Sequence, residues 1–367
     1  MTASPTPHAD IETDDLKSMG PHDLTEEQLL EISRIFDEMR EEVLNDLGAE
    51  DADYIRNVIK ARIALEVAGR VLMPFGWAPP VFVAAVIALA LSKILDQMEI
   101  GHNVMHGQYD WTQDPSLMGN NFEWDWSAVG DHWRHSHNYV HHTFTNVMGV
   151  DRDIGYGSVR VHDEQKWHPF FIGNPLWMVL LAFQFEGAIA IHDLGVPALI
   201  ARKKSFIDTV PDIVRVLGKA TRMVAKDYLF FPIISGVSAP VVLTGNLSAN
   251  VIRNIWAFVV IFCGHFPDGT EVFQKEILDN ETRGGWYVRQ IRGTANITGT
   301  KMFHILTGNL SNQIEHHLFP DIPAVRYKAL APRVQAVCRD YDIEYNTGPL
   351  HKQFGSVVKN IFRLVKP

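Results

Sequence analysis

The chain has 367 residues, a formal net charge of −10 at pH 7 and 46% hydrophobic residues. Residues 1–60 hold 16 acidic against 5 basic side chains, while the rest of the chain holds 27 against 28, so the negative charge is local. An acidic front end, with no basic patch interleaved with aromatics, argues against nucleic-acid binding. Cys263 and Cys338 fit no C-x-x-C spacing, which excludes a disulfide framework and suggests a reducing compartment.

The first 54 residues are predicted to form an acidic segment that is partly disordered and then helical. Residues 1–22 are rich in Pro, Ser, Thr and Asp without an apolar period, which predicts disorder and no secretory signal peptide. Thr25 and Gln28 have the spacing of a capping box and predict the start of an amphipathic helix. A second helix is expected from near Asp53.

Beyond this segment the apolar residues are concentrated in a few long runs, which predict four membrane crossings at about 58–77, 80–99, 226–245 and 248–266. A proline-rich turn at 74–80 separates the first two. Asn246 and Asn250 mark the expected turn between the last two. Taken alone, the first pair is also compatible with a buried helical hairpin of a soluble protein.

Histidines are the most unusual feature of the chain, and five of them fall within eleven residues of the run DHWRHSHNYVHHT. Residues four apart share one face of a helix, so the rings of His137 and His141 are expected to lie together, with His142 beside them. The same spacing recurs at His102 and His106. A third group, His316 and His317, follows Gln313 by one helical turn.

These seven imidazoles are too many for one zinc site, which takes four ligands or three and a water. Imidazole-rich sites suit iron, copper, zinc or nickel, and the count indicates two metal ions. His265, at the end of the last apolar run, is a natural eighth ligand. Gln313 has the position to bind a metal or to hold a metal-bound water.

One site requires all three histidine groups on the same side of the membrane, so an even number of crossings must separate them. The basic segment 194–227 is interpreted as a cytoplasmic loop by the positive-inside rule. Phe170–Ile191 then cannot cross once, and it is interpreted as a helix lying in the interface. The bulk of the chain is expected on the cytoplasmic side.

The set H-x3-H, H-x3-H-H and Q-x2-H-H, interleaved with paired apolar runs, resembles the membrane fatty acid desaturase family. Four sequence motifs resemble its bacterial acyl-CoA branch, as found in mycobacteria: GHNVMHGQYDW, HNYVHH, CGHFPDG and GNLSNQIEHHLFPDIP. The resemblance covers roughly residues 55–345, which leaves 346–367 as a C-terminal tail. It implies an all-α, membrane-embedded four-helix fold with a cytoplasmic, histidine-rich helical cap.

The resemblance also implies chemistry: a non-haem centre of two iron ions that activates dioxygen and removes two hydrogens from a fatty acyl chain, giving a cis double bond. The acyl carrier is coenzyme A or a phospholipid. With no His-Pro-Gly-Gly core for an attached haem domain, electrons are expected from a separate reductase or electron-transfer protein. Eight residues match the family's ligand positions: His102, His106, His137, His141, His142, His265, His316 and His317. Gln313 stands where some members have another histidine.

Other residues near the motifs have plainer interpretations. His132 and His135 flank the cluster but are off its helical face, so they are expected to support the ligands or face the surface. His304 lies 12 residues before His316 and could approach the site as a ligand or as a supporting residue. Trp124, Trp126 and Trp133 either line an acyl tunnel or anchor the chain at the membrane interface.

Two other functions share parts of this pattern. A sister acyl or alkane hydroxylase would use the same ligands. A metal transporter would place ionisable residues within its membrane spans, whereas these histidines lie at or beyond the ends of the apolar runs, which disfavours that function.

Overall fold

The computed structural model describes residues 23–200 and 202–367. The predicted disorder of residues 1–22 lies outside the described residues. The predicted helical class is confirmed, with one short sheet added. The α-helices are α1 (Glu26–Asn45), α2 (Ala49–Leu72), α3 (Pro79–Met105), α4 (Gly130–Trp133), α5 (Asn174–Phe183), α6 (Phe185–Asp193), α7 (Val196–Ile200), α8 (Phe206–Val224), α9 (Phe231–Ile234), α10 (Ala239–His265), α11 (Arg283–Arg292), α12 (Lys301–Leu306), α13 (Gln313–Leu318), α14 (Tyr327–Asp340) and α15 (Leu350–Arg363).

Short 3-10 turns join these elements at Met73–Phe75, Asp110–Thr112, Pro115–Leu117, Ile154–Gly157, Pro169–Gly173, Gly236–Ser238, Lys275–Leu278 and Ala324–Arg326. Strand β1 (Asn296–Thr298) pairs in parallel with β2 (Thr347–Pro349), with Asn296 opposite Thr347. This pairing ties the C-terminal segment to the body of the protein, and α15 packs on α10 and α5.

Helix α1 begins where the sequence predicts. The Thr25 hydroxyl accepts from the Gln28 backbone at 3.2 Å, and the Gln28 amide oxygen accepts from the Thr25 backbone at 2.9 Å. The helix buries Ile32 and Phe36 against α11 and the region after α13. The second helix starts at Ala49, slightly before the predicted Asp53.

Two helices in the described part of the chain are long and apolar enough to cross a membrane, Pro79–Met105 and Gly236–His265. They contain the predicted spans 80–99 and, up to the last residue, 248–266. The predicted span 58–77 falls on α2, which packs along α3 but carries Arg62, Glu66 and Arg70. The two helices approach closely, since a Cβ on Gly69 would lie 2.6 Å from the Leu89 side chain.

The predicted span 226–245 is wrong, and so is the turn at Asn246 and Asn250. Both asparagines lie inside the unbroken helix α10 and are buried. The chain reverses instead at 235–238, where Gly236 adopts a left-handed φ of 54°. Buried hydrogen bonds to Asp227 and Tyr228 explain why asparagines sit inside an apolar helix, because they satisfy polar groups that the neighbouring helix brings into the bundle.

The basic segment 194–227 is largely helical, so its interpretation as a loop is wrong. Basic side chains of helix α8 are paired with acidic ones: Arg215 with Asp131 in an exposed pair, and Lys219 with Glu123. Its outer face is apolar and exposed: Phe206, Ile207, Val210, Val214, Leu217 and Val224. Phe170–Ile191 also differs from one interfacial helix, since Pro169–Phe183 and Phe185–Asp193 meet at 96°.

Candidate metal centre

The first two histidine groups lie in or beside helical segments with the wider hydrogen bonding of a π-helix. Leu95–His102 ends at the first ring, and Arg134–His141 carries two more. Such segments occur frequently at functional sites because they displace side chains from the regular helical positions. The His137 and His141 rings still stack, with centroids 5.1 Å apart, so they share a face as the spacing predicts.

The remaining candidate ligands lie at or near helix ends, close to His102, His137 and His141. His265 is the last residue of α10, and His316 and His317 lie in the short helix α13. His106 follows α3 directly, and His142 follows the second π segment. All eight predicted ligand residues therefore converge on one buried region where α3, α10 and α13 meet.

Within this region the ring nitrogens form two neighbouring groups, each with its nitrogens within 4.8 Å of one another. The first group is His102, His106, His137 and His316, and the second is His141, His265 and His317. His142 forms a third set with His316 and His317, one from each of the two groups. Two adjacent groups of this kind, with His142 close to a ring of each, could each hold a metal ion.

Many of these nitrogens lack a protein partner. Five buried nitrogens of the eight rings have no hydrogen bond among the described residues: His106 Nε2, His142 Nδ1, His265 Nδ1, His316 Nε2 and His317 Nε2. In addition, His102 Nε2 and His137 Nε2 face each other at 3.2 Å. A buried polar atom without a partner is destabilising, and cations bound by the two groups would satisfy these nitrogens.

Burial also sets the charge of the rings. It lowers the pKa of His142, His316 and His317 far below the usual value, and the neighbouring histidines add to this effect. The rings are therefore neutral, the form in which imidazole binds metals. Burial lowers the pKa of His141 too, but Asp151 and Asp153 outweigh it and raise this pKa.

The far nitrogen of several rings is held by a second side chain, the arrangement that fixes a metal-binding histidine's orientation and tautomer. The partners are Asn103 for His102 (3.1 Å), Asp151 for His141 (2.9 Å), Tyr327 for His316 (3.3 Å), and Gln290 and Thr145 for His317 (3.0 and 3.2 Å). Sequence reasoning missed all of these partners. They are ordinary polar residues without repeated spacing, so no sequence signal singles them out.

Four further candidate residues lie at different distances from the eight rings: Gln313, His132, His135 and His304. Gln313 Nε2 lies 3.0 Å from His265 Nε2, and its Oε1 has no partner among residues 23–200 and 202–367. His132 instead contacts Asp212 at 3.0 Å, and His135 is exposed. His304 is bound to the Ser311 hydroxyl at 2.6 Å. Gln313 alone of these four touches a ring of the two groups.

A pocket adjoins the histidines and is lined mainly by apolar and aromatic side chains. Trp124, Trp126 and Trp133 are buried in its wall with Phe185, and rings that include His137 line the same pocket. The tryptophans therefore line a pocket and do not serve as exposed interface anchors. Trp133 stacks on His137 with centroids 4.4 Å apart, so the pocket wall also holds a ring of the first group in place.

Comparison with known proteins agrees with this geometry. The family model for fatty acid desaturases matches residues 75–349, which is most of the chain. The chain therefore belongs to the fatty acid desaturase family and is an oxidoreductase of lipid metabolism. With this family and two helices suited to crossing a membrane, it is a membrane protein.

Among individual relatives, the chain is 40% identical over 348 residues to the NADPH-dependent stearoyl-CoA 9-desaturase of Mycobacterium tuberculosis, covering 94% of this chain and 82% of that one. It is 27% identical over 292 residues to the sn-1 linoleoyl-lipid 6-desaturase of a Synechocystis species, covering 74% and 77%. It is 23% identical over 306 residues to human fatty acid desaturase 3, covering 78% and 61%. The resemblance to the mycobacterial branch is confirmed.

Proposed function

We propose that this protein is a fatty acyl-CoA desaturase that inserts a cis double bond, using two iron ions, dioxygen and electrons from a separate NADPH-dependent reductase. The observation that carries the proposal is the placement of two adjacent imidazole groups against an apolar pocket. The acyl carrier and the reductant are taken from the 40% identical relative, whose name specifies stearoyl-CoA and NADPH.

The proposed reaction balances as follows. One acyl –CH2–CH2– unit, one O2, two electrons and two protons give –CH=CH– and two water molecules. Bound iron would supply an oxidant strong enough to break unactivated C–H bonds. His102, His106, His137 and His316 would hold one ion, and His141, His265 and His317 the other, with His142 between them.

The protein's own residues provide position and protection. The tryptophan wall packs the apolar acyl chain against the histidines and excludes water from the reacting carbons. Asp151, Gln290 and Asn103 fix the ring tautomers, so that the same nitrogens stay directed to the metal.

The test is expression of the chain with a reductase in a host, followed by lipid analysis. A new monounsaturated acyl chain is the expected product, and a hydroxylated chain would instead show the sister hydroxylase activity. Independently, the purified protein should hold about two irons per chain. Zinc alone, together with no activity after iron reconstitution, would rule out the di-iron proposal.

We also propose that both termini and the metal centre face the cytoplasm. The pairing of Arg215 and Lys219 with acidic side chains weakens the charge argument for this side, but the histidine groups still require one common side. A reporter inserted at 202–204 should give a cytoplasmic signal. A periplasmic signal there would overturn this topology without affecting the metal count.

A further inference from the structure

One carboxyl in the pocket wall is not used by the histidine groups. Asp193, the last residue of α6, lines the pocket together with His137, His141 and His265. Its Oδ1 accepts a hydrogen bond from the Ser136 hydroxyl at 2.7 Å. Its Oδ2 is buried and has no hydrogen-bond partner in the described part of the chain.

This arrangement favours the protonated acid more strongly than an exposed aspartate does. A charged carboxylate oxygen is costly to bury without a donor, whereas a carboxylic acid can direct its O–H toward whatever occupies the pocket. Burial raises the pKa of Asp193 to about 6, against the opposing effects of the Ser136 hydrogen bond, His192 and Arg152. Asp153, the other charged group nearby, acts in the raising direction.

Solvent lies close behind this wall. A second cleft, lined by Arg152 and Lys203 among others, is open to the outside of the protein. Among the described residues, His192 is the one side chain that lines both this cleft and the inner pocket. Asp193 is close enough to His192 for the charge of that ring to act on its carboxyl, so His192 connects the solvent-filled cleft with the carboxyl.

The proposed desaturation needs protons in a pocket that otherwise excludes water. Each double bond consumes two protons in addition to the two substrate hydrogens. Resting on that proposed function, we propose that Asp193 delivers protons from its Oδ2 to the oxygen atoms that leave as water. In each delivery the O–H bond of the acid breaks, the carboxylate remains on Asp193, and a solvent proton restores the acid. The electrons come from the reductase, so charge and atoms balance.

The plain alternative is that Asp193 serves only to anchor Ser136, which precedes His137 in the π segment. Three variants separate the two roles. Asp193→Asn keeps size and a hydrogen-bond acceptor for Ser136 but has no acidic proton. Ser136→Ala keeps the acid but removes the hydrogen bond. Asp163→Asn, at an exposed ion pair with Arg363, is a matched control for the same chemical change.

With iron content and thermal stability matching the wild type, Asp193→Asn should lower turnover by about 100-fold or more, the usual contribution of a positioned acid. Fewer double bonds should form per NADPH oxidised, since electrons then leave as peroxide. Ser136→Ala should lose clearly less turnover than Asp193→Asn, and Asp163→Asn should remain within about threefold of wild type. Asp193→Asn at near-normal turnover, or Ser136→Ala as defective as Asp193→Asn, would overturn proton delivery.

A second readout does not need turnover. Because burial also raises the pKa of Glu315 to about 6, the readout is a difference spectrum. The infrared spectrum of the wild type minus that of Asp193→Asn should show a carboxylic-acid C=O band that is lost as the pH rises through about 6. Identical spectra for the two proteins would overturn the proposal. A wild-type enzyme that forms no double bond overturns the proposed function and proton delivery with it. An active wild type with a normal Asp193→Asn variant overturns only the latter.

Discussion

Asp227 is the shared partner of two buried cations, and its removal should be among the most destabilising changes outside the metal centre. Lys93 Nζ lies 2.7 Å from one carboxylate oxygen, and Arg70 Nη2 lies 2.7 Å from the other. The Lys93 side chain is only 7% exposed and that of Asp227 only 3%. Asp227 therefore joins α2 and α3 to the helix that precedes the reversal at 235–238.

Removing one partner of a buried ion pair typically costs about 3–5 kcal/mol, because the other charge stays buried without compensation. At about 2.1 cal/mol/K of unfolding entropy per residue, this corresponds to a fall in melting temperature of about 5 °C for a chain of this length. Asp227→Asn should show this fall in detergent, measured by fluorescence. Asp163→Asn, at an exposed pair, should shift it by about 1 °C or less.

The double variant Lys93→Met with Asp227→Asn distinguishes a buried charge from lost packing. Because the double variant also removes the charge of Lys93, which is otherwise left buried without a partner, it should recover about half or more of the stability lost in Asp227→Asn alone. A single Asp227→Asn variant that melts within about 1 °C of the Asp163→Asn control would refute the reasoning, as would a double variant less stable than either single one.

The remaining predictions concern the metal centre. His141→Ala or His317→Ala should abolish double-bond formation and reduce bound iron, while His162→Ala should keep both within about twofold; metal analysis and lipid analysis of all three check this. Gln313→Ala should keep most of its iron and lose about 10–100-fold in activity, and iron loss equal to that of His317→Ala would instead make Gln313 a ligand. His265→Ala should lose iron, and a fully active variant with normal iron content would show that His265 is structural.

Much of the site could be predicted because the histidines carry their own spacing. Rings four residues apart share a helix face in any helical context, so the pairs at 102 and 106 and at 137 and 141 are recognisable in the amino-acid sequence alone. The predicted capping box at Thr25 is confirmed for the same reason, since its hydrogen bonds lie within four residues. Local patterns of this kind need no knowledge of distant parts of the chain.

The helix boundaries within the membrane region were harder to predict. Asn246 and Asn250 look like turn residues in an apolar run, yet they satisfy Asp227 and Tyr228 across the bundle, and the chain reverses at Gly236 instead. Likewise, the row of basic residues at 202–226 suggests a solvated loop in the sequence. In the structure α8 is a helix, and two of these residues pair with acidic side chains at 123 and 131. The polar residues at these positions pair with residues that are distant in the sequence, so their role becomes clear only from the fold.

The sequence by itself determined the family, the helical class and which histidines are candidate metal ligands. Each of these follows from short motifs and from the spacing of residues that are close in the chain. Only the tertiary structure decided which rings form which group, that His142 lies between the groups, and which side chains orient the rings. It also placed Asp193 in the pocket wall. These facts depend on contacts between residues from ten to more than two hundred positions apart, and the packing of the whole chain sets such contacts.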